Sequence, residues 1–169
     1  MLGSRGSEAE FRDFVLGTQT RMVRLAELLT RDRGHAEDLA QHAFTAAFAA
    51  WPRICRGDPE AYVRRCIVNK HRDRWRRGIW RERPTDRLDD QPMADGHAGV
   101  VITRTIVLSA LERLSDRERT VIVLRFYCDL TEAAVAGEMK IPVGTVKSTT
   151  SRALAKLRAD AELVQEVKS

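Results

Sequence analysis

A chain of 169 residues with 43% hydrophobic content can form one ordinary domain or two small ones around a packed core. Its formal net charge of +5 favours an anionic partner wherever the positive residues cluster. The sequence has neither a run of about 18 apolar residues nor a basic-then-apolar leader, so it predicts neither a membrane span nor secretion, and the cytoplasm is the expected location. The three cysteines are scattered and form no C-x-x-C pair, which argues against a disulfide framework and a metal site.

Helical spacing of apolar residues predicts three helices in the first half of the chain. The first runs from Phe11 to Leu29, and the second follows a glycine at position 34. The segment Trp51 to Tyr62 contains two prolines and a glycine and predicts a loop. Within this segment Asp58, followed by proline, is the predicted N-cap of the third helix, which runs from Glu60 to about Arg77.

Residues 79–100 differ in composition from both flanking segments. They are rich in proline, glycine and aspartate and show no sustained hydrophobic period, which predicts a flexible linker. No alternating run between hairpin turns predicts a strand. We therefore expect an all-α fold of two small helical domains, residues 8–78 and 101–166, joined by the linker 79–100.

The second half carries strong helix-start signals. A helix is predicted over residues 102–114, and Ser115 with Glu118 forms a capping box that opens a helix from Asp116 to Tyr127. Thr131 caps a short helix ending at Met139, and a turn then leads into "PVGTVKSTTSRALAKLR". This order of elements is typical of a helix-turn-helix, whose second helix enters the major groove of DNA.

The second helix of this motif is amphipathic. One predicted packing stripe contains Val146, Thr150, Ala153, Leu154 and Leu157, and the roughly opposite side contains Thr145, Ser148, Arg152 and Lys156. One position departs from the usual motif: Lys140 stands in the turn where glycine commonly supplies a positive φ, and a lysine there would be strained.

The third helix of the first half is strongly basic. Its positive residues are interleaved with Tyr62 and Trp75, and Trp80 follows just beyond; they are Arg64, Arg65, Lys70, Arg72, Arg74, Arg76 and Arg77. This combination suits single-stranded nucleic acid, because cations follow the backbone while aromatic rings stack on unpaired bases. The alternative is a solvated helix whose aromatic and aliphatic residues belong to the core.

Three stretches in this order resemble a known family. "AEDLAQHAF", "NKHRDRWRR" and "PVGTVKSTTSRALAKLR" are similar to motifs of the extracytoplasmic-function sigma factors, the minimal specificity subunits of bacterial RNA polymerase. The resemblance implies that the first domain is sigma region 2, which melts and reads the promoter −10 element and binds the polymerase β′ clamp. The second domain would be region 4, which reads the −35 element and contacts the β flap.

The resemblance also assigns sites. The expected −10 contacts are Asn69, Arg72, Trp75, Arg76 and Arg77, with the loop Trp51 to Glu60 capturing a flipped base. Asp38 and Gln41 would face core polymerase, beside His42 where the family usually has an acidic residue. The expected −35 contacts are Thr145, Lys147, Ser148, Thr149 and Arg152. Thr149 replaces a residue that is more often arginine or glutamine in the family. No cofactor or metal is implied, and an anti-sigma factor is a possible partner.

Two other classes of protein remain as alternatives. A two-domain helix-turn-helix regulator would bind duplex DNA without core polymerase, but the first half lacks the alternating strands of a receiver domain. An enzyme such as a nuclease would need a catalytic constellation, and the four histidines form none by spacing. We therefore expect a protein that is not an enzyme.

Overall fold

The computed structural model describes the backbone of residues 2–77 and 98–167, and side chains within 7–77, except that of Trp75, and within 105–159. The chain separates into two compact units, Met1–Ile79 and Trp80–Ser169. The described residues form helices and contain no strand: α1 Leu2–Thr30, α2 Arg33–Ile54, α3 Pro59–Arg76, α4 Ala98–Glu112, α5 Asp116–Ile122, α6 Glu132–Met139 and α7 Val143–Val167. The all-α fold predicted from the sequence is confirmed.

The first unit is a three-helix unit in which α1 packs on both α2 and α3. Its core is formed by fully buried aliphatic residues of α1 and α3, among them Leu25, Leu29, Val63 and Ile67. Small buried residues on α2 allow that helix to pack closely on α1: Ala36, Ala40, Ala43 and Ala47. An ion pair between Arg21 and Glu60 also connects α1 to the start of α3.

The loop between α2 and α3 is shorter than predicted. Residues Trp51 to Ile54 complete α2, with Pro52 inside its last turn, and only residues 55–58 connect the helices. Trp51 is 5% exposed, with its ring 5.0 Å from that of Phe11 and 5.2 Å from that of Phe14. This aromatic packing stabilises the last turn, although proline removes one helical hydrogen bond there. Asp58 caps α3 as predicted, its Oδ1 accepting a 2.8 Å hydrogen bond from Ala61 N.

Most of the predicted linker, with Trp80, lies outside the described residues, and so does the side chain of Trp75. One boundary differs: α4 begins at Ala98, so the last residues of the range 79–100 are helical. Within the described part of the chain, no helix is both long enough and apolar enough to cross a membrane.

The second unit begins its core at the end of α4. The predicted capping box is confirmed: Ser115 Oγ accepts from Glu118 N at 3.3 Å, and Glu118 Oε2 accepts from Ser115 N at 2.9 Å. Arg119 is only 3% exposed and donates hydrogen bonds to the carbonyl oxygens of Leu111 at 3.1 Å and Leu114 at 2.9 Å. It also pairs with Asp116 at 2.8 Å, so its buried charge has an acidic partner. A π-helical turn, Val123–Tyr127, continues α5.

Candidate nucleic-acid interface

The helix-turn-helix consists of α6, the turn at residues 140–142 and α7. Thr131 caps α6 as predicted, accepting a 3.1 Å hydrogen bond from Ala134 N. Lys140 has φ 54° and ψ 50°, the left-handed conformation that glycine adopts without steric cost. The strain anticipated for a lysine at this position is therefore present in the turn.

The buried face of α7 includes Thr149, which the predicted stripe does not contain. Val146 and Ala153 are fully buried, and Thr149 is 1% exposed between them. The prediction that Thr149 contacts the −35 element is wrong for this conformation, because its side chain faces the core. Spacing alone placed Thr150 in the core, but packing against α5 and α6 centres the buried stripe one position earlier, and Thr150 is half-buried. Leu154 and Leu157 are half-buried as well.

The outward face of α7 presents cations and hydroxyls near the start of the helix. Lys147, Ser148 and Arg152 are exposed, whereas Thr145 is half-buried. Ser148 Oγ donates to the carbonyl oxygen of Thr145 at 3.2 Å, and Arg152 Nε donates to that of Ser148 at 3.3 Å. Lys147 Nζ lies 3.9 Å from Glu132 Oε2 on α6, a distance at which the pair is weak and easily exchanged for a phosphate. The arrangement is suited to contacts with a DNA groove.

Lys156, which helical spacing placed on the same side as Arg152, contacts α5 instead. Its Nζ donates a 2.9 Å hydrogen bond to Glu118 Oε2. Burial alone would raise the pKa of Glu118, but the hydrogen bonds from Lys156 and Ser115 outweigh it, so the pKa lies below the ordinary carboxyl value. Lys156 is therefore part of the packing of the second unit, a role that sequence reasoning missed because its partner lies 38 residues away.

In the first unit, the basic helix α3 has an exposed polar edge. Asn69, Arg76 and Arg77 are exposed, and Arg72 is half-buried. The aliphatic residues of the same helix, such as Val63 and Ile67, form core, so the core interpretation applies to that face, and nucleic-acid binding by the exposed edge stays a prediction.

An open cavity of about 420 Å³ lies beside the start of α3. Its lining combines residues of α2 and α3: Ala46, Ala49, Ala50, Pro52, Arg53 and Tyr62. The small side chains of the alanines leave the cavity open, and Arg53 and Tyr62 add a cation and an aromatic ring to its lining. Sequence reasoning did not group these residues, because only the packing of the two helices brings Tyr62 to Arg53.

On α2, Asp38 and Gln41 are exposed on one face. His42 is exposed beside them, its Nδ1 3.0 Å from the carbonyl oxygen of Asp38. Phe48, three turns along from Asp38, is 51% exposed and was not among the predicted site residues. A large exposed aromatic residue on a polar helix face is a candidate contact for a protein partner.

The described residues form a helical protein with exposed cationic residues on α3 of the first unit and on α7 of the second. Models of two sigma-70 regions match the chain: "Sigma-70 region 2" over residues 14–81 and "Sigma-70, region 4" over residues 110–159. The chain is 33% identical to an RNA polymerase sigma-E factor of Streptomyces coelicolor, over 92% of this chain and 88% of the relative. It is 30% identical to the ECF RNA polymerase sigma factor SigC of Mycobacterium tuberculosis, over 94% of this chain and 87% of the relative. The chain belongs to the sigma-70 family and, within it, to the extracytoplasmic-function sigma factors.

Solved structures show the same fold. The sigma factor RpoE from Bartonella quintana, in complex with the anti-sigma factor NepR, superposes with a TM-score of 0.69 at 22% identity, over 88% of this chain and 94% of that chain. CnrH, in complex with the cytosolic domain of CnrY, superposes with a TM-score of 0.63 at 24% identity, over 90% of this chain and 88% of that chain.

Proposed function

We propose that the protein combines with core RNA polymerase and directs promoter-specific transcription initiation. The observation that carries this proposal is the exposed face of α7, where Lys147, Ser148 and Arg152 lie within the first three turns of the second helix of a helix-turn-helix. That position is the one from which such helices contact base edges and phosphates. In this role the second unit reads the −35 element through those three residues and Thr145. The role is one of binding rather than catalysis, and its place is the cytoplasm, where promoter DNA and polymerase are found.

The first unit would act on the −10 element. Arg76 and Arg77, which are exposed at the end of α3, would contact the backbone of a single strand, and Arg72 and Trp75 of the same helix are further proposed contacts. Asn69 would read an unpaired base, and the cavity beside Arg53 and Tyr62 offers room and a stacking ring for a base taken out of the duplex. Trp51 has no part in this, because its ring is packed in the core.

Core polymerase would bind the exposed face of α2. Asp38 and Gln41 supply polar contacts to the β′ clamp, while Phe48 supplies an apolar one. The β flap would contact the second unit. An anti-sigma factor is a further proposed partner, supported by the two structural relatives that were solved with NepR and CnrY.

Run-off transcription with purified core polymerase on a library of genomic fragments tests the proposal. We expect transcripts from a defined promoter set only when the chain is present. The free chain should bind duplex DNA weakly and with a steep salt dependence, because its basic clusters lie in separate units. Tight, sequence-specific duplex binding without core polymerase would instead support a conventional helix-turn-helix regulator.

Asn69→Ala tests the −10 assignment. Loss of the base contact should impair formation of the open complex on linear templates while core binding stays normal. Lys70→Ala is the matched control, because Lys70 is the exposed neighbour of Asn69 but is not an assigned contact. Unchanged open-complex formation by Asn69→Ala on linear templates would remove Asn69 from the site.

A further inference from the structure

The start of α2 and the end of α3 meet at one histidine. Asp32 caps α2, and its Oδ1 accepts a 2.8 Å hydrogen bond from His35 N. Its Oδ2 lies 3.2 Å from His35 Nδ1. The other ring nitrogen, Nε2, lies 3.3 Å from Nη2 of Arg74 in the last turn of α3. The half-buried imidazole therefore lies between an acid of its own helix and a base of the neighbouring one.

The contact between His35 and Arg74 constrains the protonation of the ring. A guanidinium only donates hydrogen bonds, so Nε2 must offer a lone pair to Arg74. The ring proton then belongs on Nδ1, facing Asp32. A second proton on Nε2 would set two N–H groups and two positive charges against each other and break the contact.

Other groups near this junction do not take over the role of His35. Burial alone would raise the pKa of Asp32, but hydrogen bonds from the backbone and ring of His35 lower it below the ordinary carboxyl value. Asp32 therefore stays charged in the range from about pH 5 to 8 where imidazoles titrate. Arg31 directly follows α1, and His71 is buried one turn before Arg74 on α3.

Arg74 lies in the turn that carries the proposed backbone contacts of α3. Arg76 and Arg77 follow it directly, and Arg77 N closes the turn by donating to the carbonyl oxygen of Asp73 at 3.1 Å. We propose that His35 is a positioning residue: through Arg74 it holds the last turn of α3, and with it Arg76 and Arg77, in place for the −10 strand, and its protonation releases that turn. This inference rests on the proposed role of Arg76 and Arg77 in binding that strand.

Holoenzyme assembled from core polymerase and the full chain tests the inference. The measured quantity is the Kd for a fluorescent single-stranded oligonucleotide carrying the −10 sequence, at about pH 7.5 and about pH 5.8, within the range where imidazole side chains in general change charge. His35→Gln keeps an acceptor for Arg74 but cannot be protonated, so it should match the unsubstituted protein at the higher pH. At the lower pH the unsubstituted protein should bind about twofold to tenfold more weakly than His35→Gln, the range expected for one lost hydrogen bond.

Matched variants separate this effect from general protonation. His42→Gln removes an exposed histidine of the same helix and should respond to pH as the unsubstituted protein does. Arg74→Met should bind the oligonucleotide more weakly at both pH values, and its affinity should no longer depend on pH. If His35→Gln does not fold normally, Arg74→Met alone tests whether the pH dependence acts through Arg74. Core binding, measured by competition, should be equal for the unsubstituted protein, His35→Gln and Arg74→Met.

The experiment distinguishes failure of the proposed role of His35 from failure of the proposed −10 contacts. An equal affinity ratio between His35→Gln and the unsubstituted protein at both pH values, or a pH response that persists in Arg74→Met, overturns the positioning role of His35. The double variant Arg76→Ala, Arg77→Ala should lose affinity at both pH values with a shallower salt dependence. If it binds normally, the proposed −10 contacts themselves fail, whatever the pH experiment shows.

Discussion

Lys156 on α7 and Glu118 on α5 form a 2.9 Å hydrogen-bonded ion pair through Nζ and Oε2. The same carboxylate oxygen accepts a 2.9 Å hydrogen bond from Ser115 N at the cap of α5. One acidic residue thus starts a helix of the second unit and also connects that helix to the proposed recognition helix.

This pair predicts an acid sensitivity of the second unit. Because the pKa of Glu118 is lowered in the folded state, its contribution to stability is complete above the ordinary carboxyl pKa and is lost as pH falls through the folded value. Lys156→Met removes a major cause of that lowering, so acid unfolding should begin at a higher pH. At neutral pH the loss should be about 0.2–1 kcal/mol, since Lys156 is half exposed. Hydrogen exchange of the α5 amides measures this unit by itself.

Lys147→Met is the control for that measurement. Lys147 is more exposed, and its partner Glu132 is 3.9 Å away, so its removal should leave the pH of unfolding nearly unchanged. Equal shifts for the two variants would show that net charge, rather than the pair with Glu118, sets the acid sensitivity.

Thr149→Val should stabilise the second unit. The Thr149 hydroxyl is buried and makes no hydrogen bond, so valine of similar shape removes a desolvation penalty, and we expect a gain of about 1 kcal/mol. Thr150→Val should give no such gain, because the Thr150 hydroxyl donates to the carbonyl oxygen of Val146 at 2.9 Å. Chemical denaturation measures both. Loss of −35 discrimination in Thr149→Val with unchanged stability would return Thr149 to the set of DNA contacts.

Substitutions on the two faces of α7 should have different effects in a DNA-binding assay and in a thermal melt. Arg152→Ala should weaken binding to a −35 duplex by about 1–3 kcal/mol and leave the thermal melt unchanged, because its side chain is exposed. Val146→Ala should destabilise the unit by about 2 kcal/mol, because Val146 is fully buried. Leu154→Ala should cost less than the roughly 2–5 kcal/mol of a fully buried leucine. Normal −35-dependent transcription by Arg152→Ala would mean that another face of α7 meets the DNA.

Lys140→Gly should relieve strain in the turn of the helix-turn-helix. The left-handed conformation of a non-glycine residue costs about 1–2 kcal/mol, and glycine removes this strain. Because glycine also has more conformational freedom in the unfolded chain, part of this gain is lost, and we expect a net stabilisation of about 0.5–1 kcal/mol. Lys140→Ala removes the same side chain but keeps the strained conformation, so its melting temperature should stay close to that of the unsubstituted protein. A similar rise in both variants would attribute the effect to the lysine side chain rather than to the backbone.

Local signals were sufficient for most of the helices. The caps at Asp58, Ser115 and Thr131 each depend on hydrogen bonds within three residues, so their residue types predicted helix starts that the structure has. The left-handed conformation of Lys140 was anticipated from its place in the turn, where helix-turn-helix motifs commonly have glycine. Local signals failed at Trp51. Pro52 and the following glycine predicted a loop, but the contacts of Trp51 with Phe11 and Phe14 stabilise a last helical turn of α2.

The amino-acid sequence by itself determined the all-α class, most of the helix boundaries and the ordered motifs of the family, because these depend on interactions over a few residues. Only the tertiary structure decided which side of α7 is available to DNA. Helical spacing could not choose between Thr149 and Thr150 for the core, since the two positions are only about 100° apart around the helix. Packing of α7 against α5 and α6 buries Thr149. Lys156 likewise pairs with Glu118, which lies 38 residues earlier in the chain. Helical periodicity within α7 could not predict this ion pair, because it depends on how α7 packs against α5.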